Sequence, residues 1–230
     1  MGIFISFVVV LFVLGCTYVV LKYFGDYSTT PSTFSSLSSV VVDGKKKITV
    51  QGPTPRSFNQ PEGIAFSYAG WIRVDDFTYR YGTQKIIFTK GTEDGKTACP
   101  AVLIDANTNT MLVKIDTFGG QELIPVSNIP AKKWLHFVVA VDQDSVDIYI
   151  NGTVYAHHTL AQMPKQNSGS VYIAPGGGFD GKVGSLDYYN YLLKPNDVSP
   201  LLLTSPQPDP ADRADALPPY FDISWWTGRS

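Results

Sequence analysis

Two hydrophobic patterns divide this chain. From Ile3 to Leu21 it reads IFISFVVVLFVLGCTYVVL, nineteen residues without Asp, Glu, Lys or Arg. As a helix this run would be roughly 28 Å long, close to the hydrocarbon thickness of a bilayer. After it, apolar residues recur at every second position in short runs, as in strands that bury one face. Phe66, Tyr68, Gly70, Ile72 and Val74 alternate with Ser67, Ala69, Trp71 and Arg73. Further strands are predicted over 40–42, 47–50, 85–90, 101–105, 111–116, 134–141, 146–150, 153–158, 171–174 and 183–191. The polar segment Ala106–Thr110 joins two of them as a hairpin, Asp142–Ser145 joins another pair, and Asn151-Gly152 supplies a two-residue turn of type I′ character. Many short strands without a long amphipathic helix predict an all-β, two-sheet antiparallel sandwich of the jelly-roll kind, preceded by a single transmembrane helix.

The boundaries follow from these shifts in pattern. Residues 1–24 are expected to form the anchor, with Ile3, Phe4, Val8, Leu11, Phe12, Leu14, Val19 and Leu21 as its membrane-anchoring residues. Residues 25–39 are a Ser/Thr-rich spacer, 40–204 the sandwich, and 205–230 a tail rich in proline and aromatics. A cleaved signal peptide would show a basic start and a shorter apolar run. Val13-Leu14-Gly15-Cys16 loosely matches a lipobox, but apolar residues continue beyond Cys16. Met1-Gly2-Ile3-Phe4-Ile5-Ser6 loosely fits a myristoylation pattern, with bulky residues where that pattern prefers small or polar ones. A retained anchor is the expectation. Lys22, with Lys45, Lys46 and Lys47 further on, places the large domain on the cytosolic face by the positive-inside bias. Cys16 and Cys99 are the two cysteines, one in the apolar run and one beyond it, so no disulfide is expected within the sandwich.

Charge narrows the function classes. Eighteen basic against twenty acidic residues give a net charge of -2, which argues against nucleic-acid binding. A glycosidase needs two carboxylates flanking the scissile bond. The three glutamates, Glu62, Glu93 and Glu122, fall on no common strand. His157 and His158 are adjacent and would face opposite ways on a strand, and His136 sits at a packed position. Gly176-Gly177-Gly178 is a loop with no P-loop Lys-Ser/Thr after it. No catalytic residue and no cofactor is expected. Asn151-Gly152-Thr153 matches a glycosylation sequon, but the turn explains it and a cytosolic face would forbid the modification.

Four stretches resemble a known family. They are Phe66–Ile72 (FSYAGWI), Ile86–Gly91 (IIFTKG), Trp134–Val141 with Val146–Gly152 (WLHFVVAV and VDIYING), and Phe179–Leu193 (FDGKVGSLDYYNYLL). In this order they resemble the laminin-G-like, concanavalin A-like jelly-roll domains. The fold hosts lectins, glycosidases, adhesion modules and structural parts, so it does not by itself fix a function. The family's glycosidase signature, Glu-x-Asp-x-x-Glu, is missing. The resemblance implies a rim calcium ion as one option, with Asp105, Asp142, Asp144 and Asp180 as candidates. It also implies aromatic sugar platforms, for which Tyr79, Tyr81, Tyr188 and Tyr191 are candidates.

Two functions are expected from this layout. The first is a membrane-anchored, non-catalytic structural and interaction protein. Its layout is similar to minor capsid proteins of large, internally enveloped DNA viruses, lying between membrane and capsid shell, with capsid proteins as partners. Tyr220, Phe221, Trp225 and Trp226 of the tail are then docking residues. The alternative is a membrane-anchored carbohydrate-binding module.

Overall fold

The computed structural model describes residues 12–18, 34–50, 54, 56–57 and 63–206. Among the described residues, thirteen strands make two antiparallel sheets. They are β1 (Phe34–Ser38), β2 (Val42–Asp43), β3 (Ile48–Thr49), β4 (Phe66–Asp76), β5 (Lys85–Gly91), β6 (Ala98–Ile104), β7 (Met111–Thr117), β8 (Gly120–Val126), β9 (Trp134–Val141), β10 (Ser145–Ile150), β11 (Thr153–Thr159), β12 (Ser170–Ile173) and β13 (Asp180–Tyr189). The first sheet runs β1-β13-β4-β9-β10-β11, with β2 also on β13, and the second runs β3-β12-β5-β6-β7-β8. This is the expected two-sheet sandwich.

Alternation builds the core. In β7, Met111, Val113 and Ile115 are buried between the sheets while Leu112, Lys114 and Asp116 face out. In β10, Ile148 joins the core and Asp147 and Tyr149 face the other way, as the sequence pattern requires. Tyr68 lies 5.0 Å from Tyr188 and 5.4 Å from Phe88, and Phe88 lies 6.1 Å from Phe137 (ring centroids), so aromatic rings bridge the two sheets. Asn151 (φ 48°) and Gly152 (φ 82°) both take left-handed geometry between β10 and β11, which a two-residue hairpin of this type demands.

A third layer covers part of the first sheet. After β13 the chain forms a short helix, Pro195–Leu201, and a 3-10 turn, Leu202–Thr204. Leu193 and Val198 pack on Ala69, Val138, Ala140, Tyr149 and Tyr189 of the outer face. Ser67 fixes this return, donating its hydroxyl to Tyr191 O and accepting the Leu193 N–H, both at 2.9 Å.

Several expectations change. Phe34–Ser38, within the predicted spacer, pairs with β13 as a strand of the sandwich. β8 has no counterpart in the sequence reading, because its polar start Gly120-Gln121-Glu122 hides the two core-facing residues Ile124 and Val126. Trp134, at the start of β9, lies on the outer face with His136, since Leu135 takes the inward position.

Residues 12–18 are helical, with the Thr17 hydroxyl donating to Val13 O at 2.6 Å. Phe12 and Leu14 are 72% and 60% exposed. Ile3, Phe4, Val8, Leu11, Val19 and Leu21 lie outside the described residues, as do Tyr220, Phe221, Trp225 and Trp226. Among the described residues, no helix is long and apolar enough to cross a membrane.

Candidate functional site

The ends of β4 and β13 form one rim of the sandwich, where Asp76 pairs with Asp180. Beside it, β2 joins β13 through Asp43 and Lys182. Gly44 permits the close approach: its N–H donates to Gly181 O at 2.8 Å, and a Cβ there would stand 2.8 Å from Phe179 O. The result is an open cleft of about 430 Å³ lined by Val41, Val42, Asp43, Lys45, Asp75, Asp180, Gly181 and Lys182.

Charges in the cleft are tied to one another. Lys45 meets Asp180 at 2.8 Å, and Arg73 Nε meets Asp75 at 2.7 Å. The Lys45 ammonium also stands 4.8 Å from the centre of the Tyr79 ring. Its hydrogen bond to Asp180 raises its pKa above the ordinary lysine value. The β4–β5 loop is pinned beside the cleft. The Tyr79 hydroxyl donates to Gly177 O at 3.3 Å, and Arg80 donates to Gly176 O at 2.5 Å. Asp76 accepts the Thr78 hydroxyl and N–H at 2.7 Å, and these bonds hold its carboxyl below the usual range. Beneath the rim, the buried Lys85 ammonium donates to Phe77 O and Ala106 O, each at 3.4 Å, and burial lowers its pKa.

The four calcium candidates do not converge. Asp180 and Asp105 belong to this rim, but Asp142 and Asp144 follow β9, whose end Val141 pairs with Phe66 at the far end of β4. Asp105 is closed in a local turn, accepting Asn107 N–H, Thr108 N–H and the Thr108 hydroxyl at 3.0–3.1 Å. Those bonds, the one from Asn107 first, lower its pKa. Asp142 accepts the Gln143 N–H at 2.7 Å. Among the described residues, no group of three or more His, Cys, Asp or Glu side chains could hold a metal ion.

The tyrosines separate as well. Tyr81 is 68% exposed on the β4–β5 loop, and half-buried Tyr79 stands beside it under Lys45. Tyr188 is a core residue, 2% exposed, and is withdrawn as a glycan contact. Tyr191 is half-buried against Tyr189, with ring centroids 5.6 Å apart, away from the cleft.

The remaining polar candidates have structural partners. Glu93 accepts from Lys47 at 3.0 Å, while Glu122 pairs with His158 at 2.7 Å and accepts the Ala161 N–H. Glu62 lies outside the described residues. His157 pairs with Asp147 at 2.6 Å, so the two adjacent histidines do point apart. Of the cleft residues, the sequence reading singled out Asp180. Asp43, Lys45 and Asp75 escaped it because β2 and β4 come together only on either side of β13. Local sequence pattern carries no signal of this approach, which Gly44 and Gly181 make only in three dimensions.

The profile of a laminin-G family, described as the concanavalin A-like lectin/glucanases superfamily, matches residues 43–199. The chain belongs to this superfamily. No curated protein matches the chain. Solved structures share the fold at low identity. The botulinum neurotoxin serotype D ligand-binding domain in complex with N-acetylneuraminic acid matches with a TM-score of 0.56 and 10% identity, covering 75% of this chain and 46% of that one. The serotype G binding domain matches at 0.52 and 15%, covering 76% and 47%. The binding domain of botulinum neurotoxin DC in complex with rat synaptotagmin II matches at 0.53 and 12%, covering 77% and 48%. The chain therefore spans less than half the length of these structures. At this identity the likeness concerns the concanavalin A-like fold and not its ligands.

Proposed function

We propose that this chain is a membrane-tethered, non-catalytic docking module, in which the apolar run 3–21 holds the sandwich beside a bilayer and the rim recognises neighbouring proteins of an assembly. The observation that carries this reading is the pairing within the cleft. Lys45 with Asp180 and Arg73 with Asp75 hold donors and acceptors in fixed places, an arrangement suited to recognition. Catalytic carboxylates instead need environments that push their pKa values apart. The exposed apolar side chains of Phe12 and Leu14 support the tether, since lipid would relieve their contact with water. The expected layout, an anchor followed by a sandwich, is similar to that of a minor capsid component between an internal membrane and its shell. Its sandwich would lie on the cytosolic side. Cross-linking mass spectrometry with a lysine-reactive reagent on intact source particles tests this. Links from Lys45 or Lys46 to a shell protein support it, and links confined to this chain sink it.

A second reading is carbohydrate binding. Tyr81, exposed on the same β4–β5 loop whose Tyr79 stands under Lys45 of the cleft, is the observation that favours it. The fold relatives are described with N-acetylneuraminic acid in one case and with rat synaptotagmin II in another, so this scaffold serves both kinds of ligand elsewhere. Saturable binding on a glycan array, lost in Tyr81→Ala, would decide for the sugar.

A further inference from the structure

The outer face of the first sheet has a second region, beyond the patch covered by Leu193 and Val198. Here Trp71 on β4 pairs directly with His136 on β9, and Trp134 pairs with Arg73 one step further along the same face. The Trp71 and His136 rings lie 4.9 Å apart. Trp71 is 7% exposed and His136 1%. Yet Trp71 Nε1, Trp134 Nε1 and His136 Nδ1 are all buried without a hydrogen-bond partner. Buried polar groups are nearly always partnered, so three orphans on one face mark a place built for acceptors. Two of the three are indole N–H groups, which can only donate.

The chain itself brings a candidate acceptor here. After the 3-10 turn, Pro206 reaches Gly184: a Cβ on Gly184 would stand 2.7 Å from Pro206 Cγ and 2.8 Å from Trp71 Cβ. A proline ring therefore already lies alongside Trp71. The following sequence, Gln207-Pro208-Asp209-Pro210, continues the alternation of proline, and Pro218-Pro219 closes the stretch. A proline-rich strand in the polyproline II form makes no internal hydrogen bonds, so its carbonyls are free to accept, and its rings suit aromatic walls.

We propose that Trp71, Trp134 and His136 form a groove for a polyproline II strand, and that the chain's own segment after Pro206 occupies it, with carbonyls accepting from the two indoles. This differs from the docking role expected of the tail, because it gives the proline half of the tail an intramolecular seat. It stands independently of the rim function.

Indole N–H exchange tests the proposal on the full chain in lipid nanodiscs. The Trp71 and Trp134 signals are assigned with Trp71→Phe and Trp134→Phe. Expected is slow exchange of both indole protons, accelerated at least tenfold in the double variant Pro208→Gly, Pro210→Gly, with the backbone amides of β4 and β9 unchanged. Those substitutions lie outside the sandwich, so folding is not at stake. A synthetic peptide of residues 206–219, added at millimolar concentration, should restore protection to that variant. Equal exchange in both proteins overturns the proposal, as does failure of the peptide to restore protection. Protection that varies with protein concentration overturns it too, by assigning the groove to a second copy.

Discussion

Asn151 and His136 exchange two hydrogen bonds across the start of the β10–β11 turn: the His136 N–H donates to Asn151 Oδ1 at 3.0 Å, and the Asn151 N–H donates to His136 O at 2.9 Å. One side chain thus shapes the turn and extends the pairing of β9. Asn151 also sits at φ 48°, which asparagine tolerates better than other residues with a Cβ. Asn151→Ala removes the acceptor and strains the turn, and should lower unfolding stability by about 2 kcal/mol. Urea denaturation checks this. Asn151→Gly, which relieves the strain and loses only the acceptor, should lose about half as much.

Acid should weaken the sandwich through His136. Burial pushes its pKa down to about 4 from an ordinary 6.5. Between these values the unfolded chain binds a proton that the folded chain does not. Stability therefore rises with pH across this window, and falls by on the order of 3 kcal/mol as pH drops from 6.5 to 4. His136→Phe should flatten that part of the profile, measured as melting temperature against pH. An unchanged slope would place the acid sensitivity elsewhere.

Lys85 holds the rim from below. Lys85→Met keeps the apolar stem but leaves Phe77 O and Ala106 O without its ammonium donor. A loss of about 1–2 kcal/mol is expected, with faster amide exchange in residues 77–84. The lysine itself carries a pH signature. Its folded pKa is lowered, so the wild-type protein gains stability as pH rises between that value and 10.5, and the Met variant lacks this gain.

Cys99 should be inert. It is 3% exposed, and burial pushes its thiol up to about 12. At pH 8 roughly one molecule in ten thousand carries the thiolate. Maleimide should leave Cys99 unmodified in the native protein and label it fully in guanidinium, read by peptide mass mapping. Native labelling would show that the strand opens readily.

The sandwich was legible wherever one residue in two is apolar. β7 carries that alternation because it buries one face, whereas β9 is a nearly continuous apolar run because both its faces are buried; the strand partners followed from the Asn-Gly turn and the polar hairpin loops. β8 and β1 were not legible. β8 shows the core only Ile124 and Val126 late in the strand, and β1 is a serine-rich strand whose pairing with β13 depends on a contact more than 140 residues away in sequence. The rim failed for the same reason. Asp180 was visible as a loop-proximal carboxylate, but its partner Lys45 was separated from it by most of the domain. Local pattern also could not reveal that Asp105 is consumed by its own turn, or that alternation puts Tyr188 inside. Nor could it foresee that Trp134 would face outward.

One further consequence lies in the pairing of β1. Phe34 aligns with Tyr189, which aligns in turn with Ser67 near the start of β4, whereas Asp180 and its cleft align with Asp76 at the end of β4. The eleven residues of β4 set these two places apart by roughly 30 Å. The sandwich thus has poles: the chain arrives from its N-terminal segment at one, and the polar cleft opens at the other.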